Sequence, residues 1–257
     1  MATALSSIPQ PIAADHHASS RAFLTDLAST VYRSKALNNA FYDAWTSRAL
    51  PIEDIAIAVR NYGYFVRSFP EILATMIMSA DNVVARTEYA KTLFSEMGYG
   101  QLRAVHSVLL DKFFSELSAK LGDPDRLTQA GLAAMPLLPE TAALVDGEKA
   151  LYSSNSARAA GAQLALEWQA YTMLRKLYDG ACNYRALWSD EDEFHGACEY
   201  FYAHIGAAEK EHKLESLNGA VELDADPAAR EQIVLGFHEH LALFDRFWNA
   251  IAAAFSR

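Results

Sequence analysis

The sequence predicts an all-α protein folded as a single domain, and three observations carry that reading. Apolar residues recur at spacings of three and four along nearly the whole chain, the period of helices that bury one face. No stretch shows the alternating, Val- and Ile-rich pattern of a strand. The 257 residues, 51% of them apolar, contain no repeat, low-complexity tract or long linker, so they can bury one sizeable core.

The periodic stretches place helices at roughly 20–33, 37–48, 52–80, 83–97, 101–121, 139–150, 156–183, 190–217 and 227–254. The first 19 residues read as a floppy tail, with His16 and His17 outside the folded part. Pro51 opens the third helix, where its missing N–H costs nothing. Pro70 lies well inside that helix and predicts a kink one residue before Glu71. Gly98 and Gly100 break the chain between the fourth and fifth helices. Gly122, Asp123 and Pro124 end the fifth, and residues 123–138 form the longest irregular connection. Asp224, Ala225, Asp226 and Pro227 announce the last helix. The predicted domain therefore spans 20–257.

The formal net charge of −10 argues against nucleic acid and anionic membrane as partners, since both need basic surfaces. The two cysteines, Cys182 and Cys198, form no CxxC pair or disulfide framework, which fits a reducing cytoplasm. The N-terminal residues lack the basic and long apolar regions of a signal peptide. No run of about 18 apolar residues exists to span a bilayer. A soluble cytoplasmic protein acting on a small molecule, with a homodimer as the default assembly, is the expectation.

Chemistry concentrates where acids and imidazoles sit on apolar helices. Glu71 stands among Phe65, Phe69, Leu73 and Met76, and Glu167 among Leu164, Leu166, Trp168 and Leu174. His106 and His204 lie on two further predicted helices, with Glu96 ten residues before His106 and Glu209 and His212 after His204. An unpaired charge in such surroundings costs several kcal/mol (on the order of 2–7 for a polar group alone). A shared metal removes that cost, because iron and manganese accept carboxylate and imidazole ligands from helix bundles. For any one of these residues taken singly, a solvated Glu or a hydrogen-bonded His is the simpler explanation. His195, His238 and His240 fit that explanation better, the last two because residues two apart point to different faces. The aromatic set that includes Tyr62, Phe65, Phe69, Trp168 and Trp248 is core by default, with some members free to wall a substrate channel.

From about Ile52 to Trp248 the chain resembles the heme-oxygenase-like diiron oxidases, the family with a TenA- and PqqC-like fold. The segment EMGYGQLRAVHSVLLDKFF matches the family pattern of a Glu, a Gly-containing turn and a His ten residues later. Glu71 fits the Glu of the first core helix and Glu167 that of the next, and YFYAHIGAAEKEHKLES is similar to the final ligand helix. The family spacing would put an acid at 208 and a His at 211, where this chain has Ala208 and Glu211. Glu209 and His212 keep the acid-x-x-His spacing but are displaced by one residue. On a regular helix His204 and His212 stand about 80° apart, so a π-type bulge between them is expected. On a straight helix Glu211 takes the second position instead.

The resemblance implies a heme-oxygenase-like bundle holding two Fe(II) ions and using O2 as co-substrate. It implies metal ligands Glu71, Glu96, His106, Glu167, His204, Glu209 and His212, with Glu71, His106, Glu167 and His204 at the catalytic heart. Glu96 as an added ligand resembles the N-oxygenating branch, so a small amine or amino-acid-derived substrate in specialised metabolism is the first expectation. Oxidative C–C cleavage or decarboxylation of an amino acid or fatty acid is the second. A metal-free enzyme of the same fold, or a binding protein without catalysis, is the third.

Overall fold

A computed structural model describes residues 14–80, 83–205 and 208–256, with side chains throughout except at 14, 15, 84, 85, 88 and 208–212. The described residues form twelve α-helices joined by turns and short 3-10 segments, and no strand. They are α1 (Ala14–Ser29), α2 (Ala40–Ser47), α3 (Ile52–Ser79), α4 (Val83–Glu96), α5 (His106–Lys120), α6 (Gln129–Leu132), α7 (Pro139–Tyr152), α8 (Ser156–Ala181), α9 (Glu191–Ala197), α10 (Glu199–Ile205), α11 (Ala208–Leu223) and α12 (Pro227–Ala253). The all-α prediction holds.

Caps fix the ends of the long elements. Asn155 accepts from the Arg158 amide to start α8, and Asp226 accepts from the amides of Ala228 and Ala229 at 2.9 Å with Pro227 at the first helical position. Each cap satisfies backbone donors that a helix N-terminus leaves unpaired. α8 and α12 form the central pair, and α8 also packs against α11, α2 and α10. Two glycines bring the central helices together. A Cβ on Gly161 would lie 2.0 Å from the Ile233 carbonyl oxygen, and one on Gly236 2.0 Å from that of Arg158.

One apolar core runs through the bundle. Its aromatic part stacks Phe41 on Trp248 at 4.5 Å between ring centroids and sets Tyr62 against the same indole at 5.5 Å. Rings this large each remove about 150–250 Å² from water.

Three boundaries differ from expectation. Residues 14–19 are helical, and His16 Nε2 lies 2.7 Å from the Asp224 carbonyl oxygen, so the folded part begins before residue 20. Residues 101–105 are a 3-10 segment and a turn, and α5 starts at His106. The stretch from 190 to 217 is not one helix, because Asp190 caps α9 and Cys198 ends it. The described part of α10 reaches Ile205 and that of α11 begins at Ala208; the bulge expected between His204 and His212 spans residues 206 and 207, which lie outside the described residues. Pro70 sits inside α3, which continues past it to Ser79 as one helix.

Candidate metal centre

Four helices deliver polar side chains to one cavity. Glu96 is the last residue of α4 and His106 the first of α5, with a tight turn between them. That turn runs through Gly98 (φ 64°), Tyr99 (φ 53°) and Gly100 (φ 80°), a left-handed path that favours glycine. A Cβ on Gly98 would meet the Ala104 carbonyl carbon at 2.5 Å. The turn thus folds back closely enough to set the two ligand-type residues side by side. α10 brings His204 beside them, and α8 sets Glu167 in the wall of the same cavity.

Glu96, His106 and His204 place one ligand atom each within 4.8 Å of one another. His106 Nδ1 lies 2.9 Å from Glu96 Oε2 and His204 Nε2 lies 3.8 Å from Glu96 Oε1. The imidazole rings meet edge to face, 4.2 Å between centroids. His204 Nδ1 lies 2.8 Å from the Tyr200 carbonyl oxygen. A carbonyl only accepts, so Nδ1 carries a proton, and Nε2 is the ring nitrogen that faces Glu96. His106 Nδ1 is close to Glu96 yet outside hydrogen-bond direction, and it remains a buried polar atom without a hydrogen-bond partner. Two imidazoles and a carboxylate meeting at one mostly buried place are a donor set that fits iron. The bond from His204 to a backbone carbonyl is the arrangement that fixes the orientation of a ligating imidazole.

Burial pushes the Glu96 carboxyl up, but the close approach of His106 and His204, and the positive charge they carry when protonated, outweigh it and hold the group at about 2. The site therefore keeps an anion where a cation would bind.

A cavity of about 60 Å³ opens beside this cluster. A single water needs about 10–15 Å³, so there is room for an ion with its waters or a small ligand group. Glu167 lines it, 4% exposed, and its Oε1 accepts from Gln163 Nε2 at 2.6 Å. Tyr62, Phe65, Val66 and Phe69 of α3 form the apolar wall, with Met173 and Leu174 of α8. The Tyr62 and Tyr200 hydroxyls lie 2.6 Å apart, and burial pushes both phenols up, so both stay protonated.

Of the predicted ligands, the structure brings together Glu96, His106 and His204 and sets Glu167 in the wall of the same cavity. It does not bring Glu71. That carboxylate is 72% exposed and accepts from Lys149 Nζ at 2.8 Å, which lowers its pKa. The reason is helical phase. Tyr62, Phe65, Val66 and Phe69 face the cavity, and two residues beyond Phe69 is about 200° around the helix. Where the resemblance called for a carboxylate, α3 presents an aromatic face. The side chains of Glu209, Glu211 and His212 lie outside the described residues.

The remaining histidines go elsewhere. His240 is buried with Nδ1 3.1 Å from Glu148 Oε2 and Nε2 2.8 Å from Gln169 Nε2, while His238 is exposed. His195 pairs with the Tyr202 hydroxyl at the surface. Sequence reasoning missed Tyr200 and Gln163. Gln163 was findable, since it stands four residues before Glu167 on one helix face.

A helical bundle that sets a mostly buried carboxylate and two imidazoles beside a small cavity offers a candidate metal centre. Residues 58–245 match the family of iron-containing redox enzymes, and the chain belongs to that family. Among curated proteins it is similar to the 4-chloro-allylglycine synthase of Streptantibioticus cattleyicolor, 24% identical over 230 residues, 89% of this chain and 82% of that protein. The fold is shared with a CADD-like protein of unknown function from Nostoc punctiforme, with a TM-score of 0.71, 17% identity and coverage of 92% of this chain and 99% of that one. A TenA homologue from Pseudomonas syringae pv. tomato gives a TM-score of 0.69 at 14% identity, covering 90% and 91%.

Proposed function

We propose that the protein is a non-heme diiron oxidase that uses O2 to oxidise a small amine or amino-acid-derived substrate. The observation that supports this best is the meeting of Glu96, His106 and His204 at a cavity that Glu167 also lines. In this reading the three clustered residues hold one iron, and Glu167 holds the second together with Glu209 and His212, or Glu211 in their place. Glu71 is left out, because it faces solvent and pairs with Lys149. Bound iron supplies the electrons and the O2 reactivity.

The rest is the work of this chain. His204 is held by the Tyr200 carbonyl with its Nε2 toward the cluster. Glu96 stays ionised through His106 and His204. Phe65, Phe69 and Met173 exclude water from the cavity and offer contact to an apolar part of the substrate. The hydroxyls of Tyr62 and Tyr200 hold protons in the wall of the cavity that Glu96 also lines.

A second reading is oxidative C–C cleavage of an amino acid by the same centre. It is favoured by the relative whose name states an allyl-bearing amino acid as product.

Loading the metal-free protein anaerobically with Fe(II) tests the proposal. About two ions per chain are expected, as in carboxylate-bridged bundles, with O2 consumption that depends on them. Metal-free protein that turns over its substrate at the full rate would overturn the reading in favour of a metal-free enzyme of this fold.

A further inference from the structure

Tyr200 stands at the inner end of a row of aromatic rings that leads from the candidate metal centre to the surface. Its ring lies 4.8 Å from that of His204 and 5.5 Å from that of Phe201, centroid to centroid. Phe201 lies 5.9 Å from Tyr178 of α8, and Tyr178 lies 5.5 Å from Tyr202. The row passes from the buried rings of Tyr200 and Phe201 to half-buried Tyr178 and ends at Tyr202, which is 39% exposed. There the Tyr178 and Tyr202 hydroxyls are 3.1 Å apart, and the Tyr202 hydroxyl is hydrogen-bonded to His195 Nδ1.

A phenol gives up an electron readily only when its proton has somewhere to go, and His195 supplies that place. Its Nε2 faces Glu191 Oε2 at 3.6 Å. A neutral imidazole carries one proton, and the carboxylate favours it on Nε2, which leaves Nδ1 to accept from Tyr202. Glu191 also stabilises the positive charge that the ring takes on with a second proton. A second row leaves Tyr200 in the other direction. The Tyr62 hydroxyl lies 2.6 Å from that of Tyr200, and Trp248 stands 5.5 Å from the Tyr62 ring and 5.0 Å from that of Tyr42. That row is a dead end. The Tyr42 hydroxyl and Trp248 Nε1 are buried without a hydrogen-bond partner among the described residues, so oxidation there would leave a positive charge in the apolar core.

We propose that Tyr202 and His195 form the outer end of an electron path that discharges the iron centre after reaction with O2 in the absence of substrate. This rests on the reading of Glu96, His106 and His204 as iron ligands. In the step, Tyr202 loses one electron, which passes inward along Tyr178, Phe201 and Tyr200 to iron that O2 has oxidised, and that iron is reduced by one unit. The phenolic O–H bond breaks and its proton moves to His195 Nδ1, leaving a neutral tyrosyl radical beside an imidazolium. A one-electron reductant from solvent, a thiol or ascorbate, then reduces the radical, and His195 returns the proton. Phe201 is hard to oxidise and only bridges the two tyrosines on either side of it.

The test loads metal-free protein anaerobically with Fe(II), mixes it with O2 without substrate, and freezes samples at intervals for electron paramagnetic resonance. Wild type is expected to show a tyrosyl radical whose signal narrows in protein made with ring-deuterated tyrosine. Tyr202→Phe and His195→Gln change only the surface end of the row. They are expected to keep the iron content and O2 uptake of wild type and to lose most of that signal. Tyr42→Phe, on the dead end, should keep it. Wild-type protein that binds iron and consumes O2 without forming the radical would overturn the path and leave the iron reading standing. An unchanged signal in either Tyr202→Phe or His195→Gln would do the same. If the protein neither holds iron nor consumes O2, the iron reading fails and the path falls with it.

Discussion

At the scale of single residues, the contrast between His106 and Glu71 separates a candidate ligand from a surface acid. Both are legible in the sequence as polar residues on apolar helices. His106 is buried with Nδ1 2.9 Å from Glu96 Oε2, whereas Glu71 trades its charge with Lys149 in solvent. His106→Ala is therefore expected to abolish tight iron binding, and Glu71→Ala to leave iron content and melting temperature near those of wild type; plasma emission and calorimetry read both. Glu96 adds a pH dependence. Its folded pKa of about 2 lies below the ordinary value of 4.5. A depressed carboxyl contributes stability that is fully present above about 4.5 and is lost as pH falls toward about 2. Chelator-treated protein should show its urea midpoint dropping through that window, and Glu96→Gln should flatten the drop. The sequence could not tell Glu71 from Phe69 as the inward position, because α3 has buried residues on several faces, Ile72 and Leu73 among them. When a helix is apolar nearly all round, apolar neighbours do not reveal which side looks at the site.

At the scale of elements, the turn from Met97 to Val105 decides whether Glu96 and His106 meet. Gly98 adopts φ 64° and has no room for a Cβ beside Ala104. Gly98→Ala combines a left-handed penalty of about 1–2 kcal/mol with that clash. It is expected to lower the melting temperature and also to weaken metal binding, more than Gly122→Ala does. Gly122 also has positive φ, but no atom lies within 4 Å of where its Cβ would be. A Gly122 variant with equal loss of metal would count against this account. The turn was legible from Gly98 and Gly100 and the ten-residue spacing to His106. The division of 190–217 was less so, since the apolar period continues across Cys198 and only the cap at Asp190 marks a boundary. The long helices α3, α8 and α12 were close to their predicted limits, because proline, Asn155 and Asp226 mark their starts.

For the whole molecule, the candidate ligand positions are unevenly spread along the chain. Glu96 and His106 are neighbours in sequence, Glu167 lies a helix pair later, and His204 belongs to a helix that packs on α5 and α8. No helix among the described residues is long and apolar enough to cross a membrane. The fold class was readable because every segment repeats the same helical period. Which points of the bundle line the cavity was readable only in part, since that depends on how α8 and α12 cross, and Gly161 and Gly236 set that crossing through contacts between distant parts of the chain.

That spread of ligands also fixes when in the life of the chain a metal site can exist. On the ribosome the α4–α5 turn emerges first, offering one carboxylate and one imidazole. The pocket closes only after the segment carrying His204 has been made and has docked, long-range contacts that are slow to form. A site completed last is absent from the folding transition state, so its stabilisation should appear in unfolding alone. Metal is therefore expected to slow unfolding in stopped-flow denaturant jumps while leaving the refolding rate nearly unchanged. Refolding accelerated in proportion to metal concentration would instead show that the ion gathers the chain. In the first case iron is a latecomer, received by a finished bundle, and a cell short of it would still accumulate folded, empty protein ready to be filled.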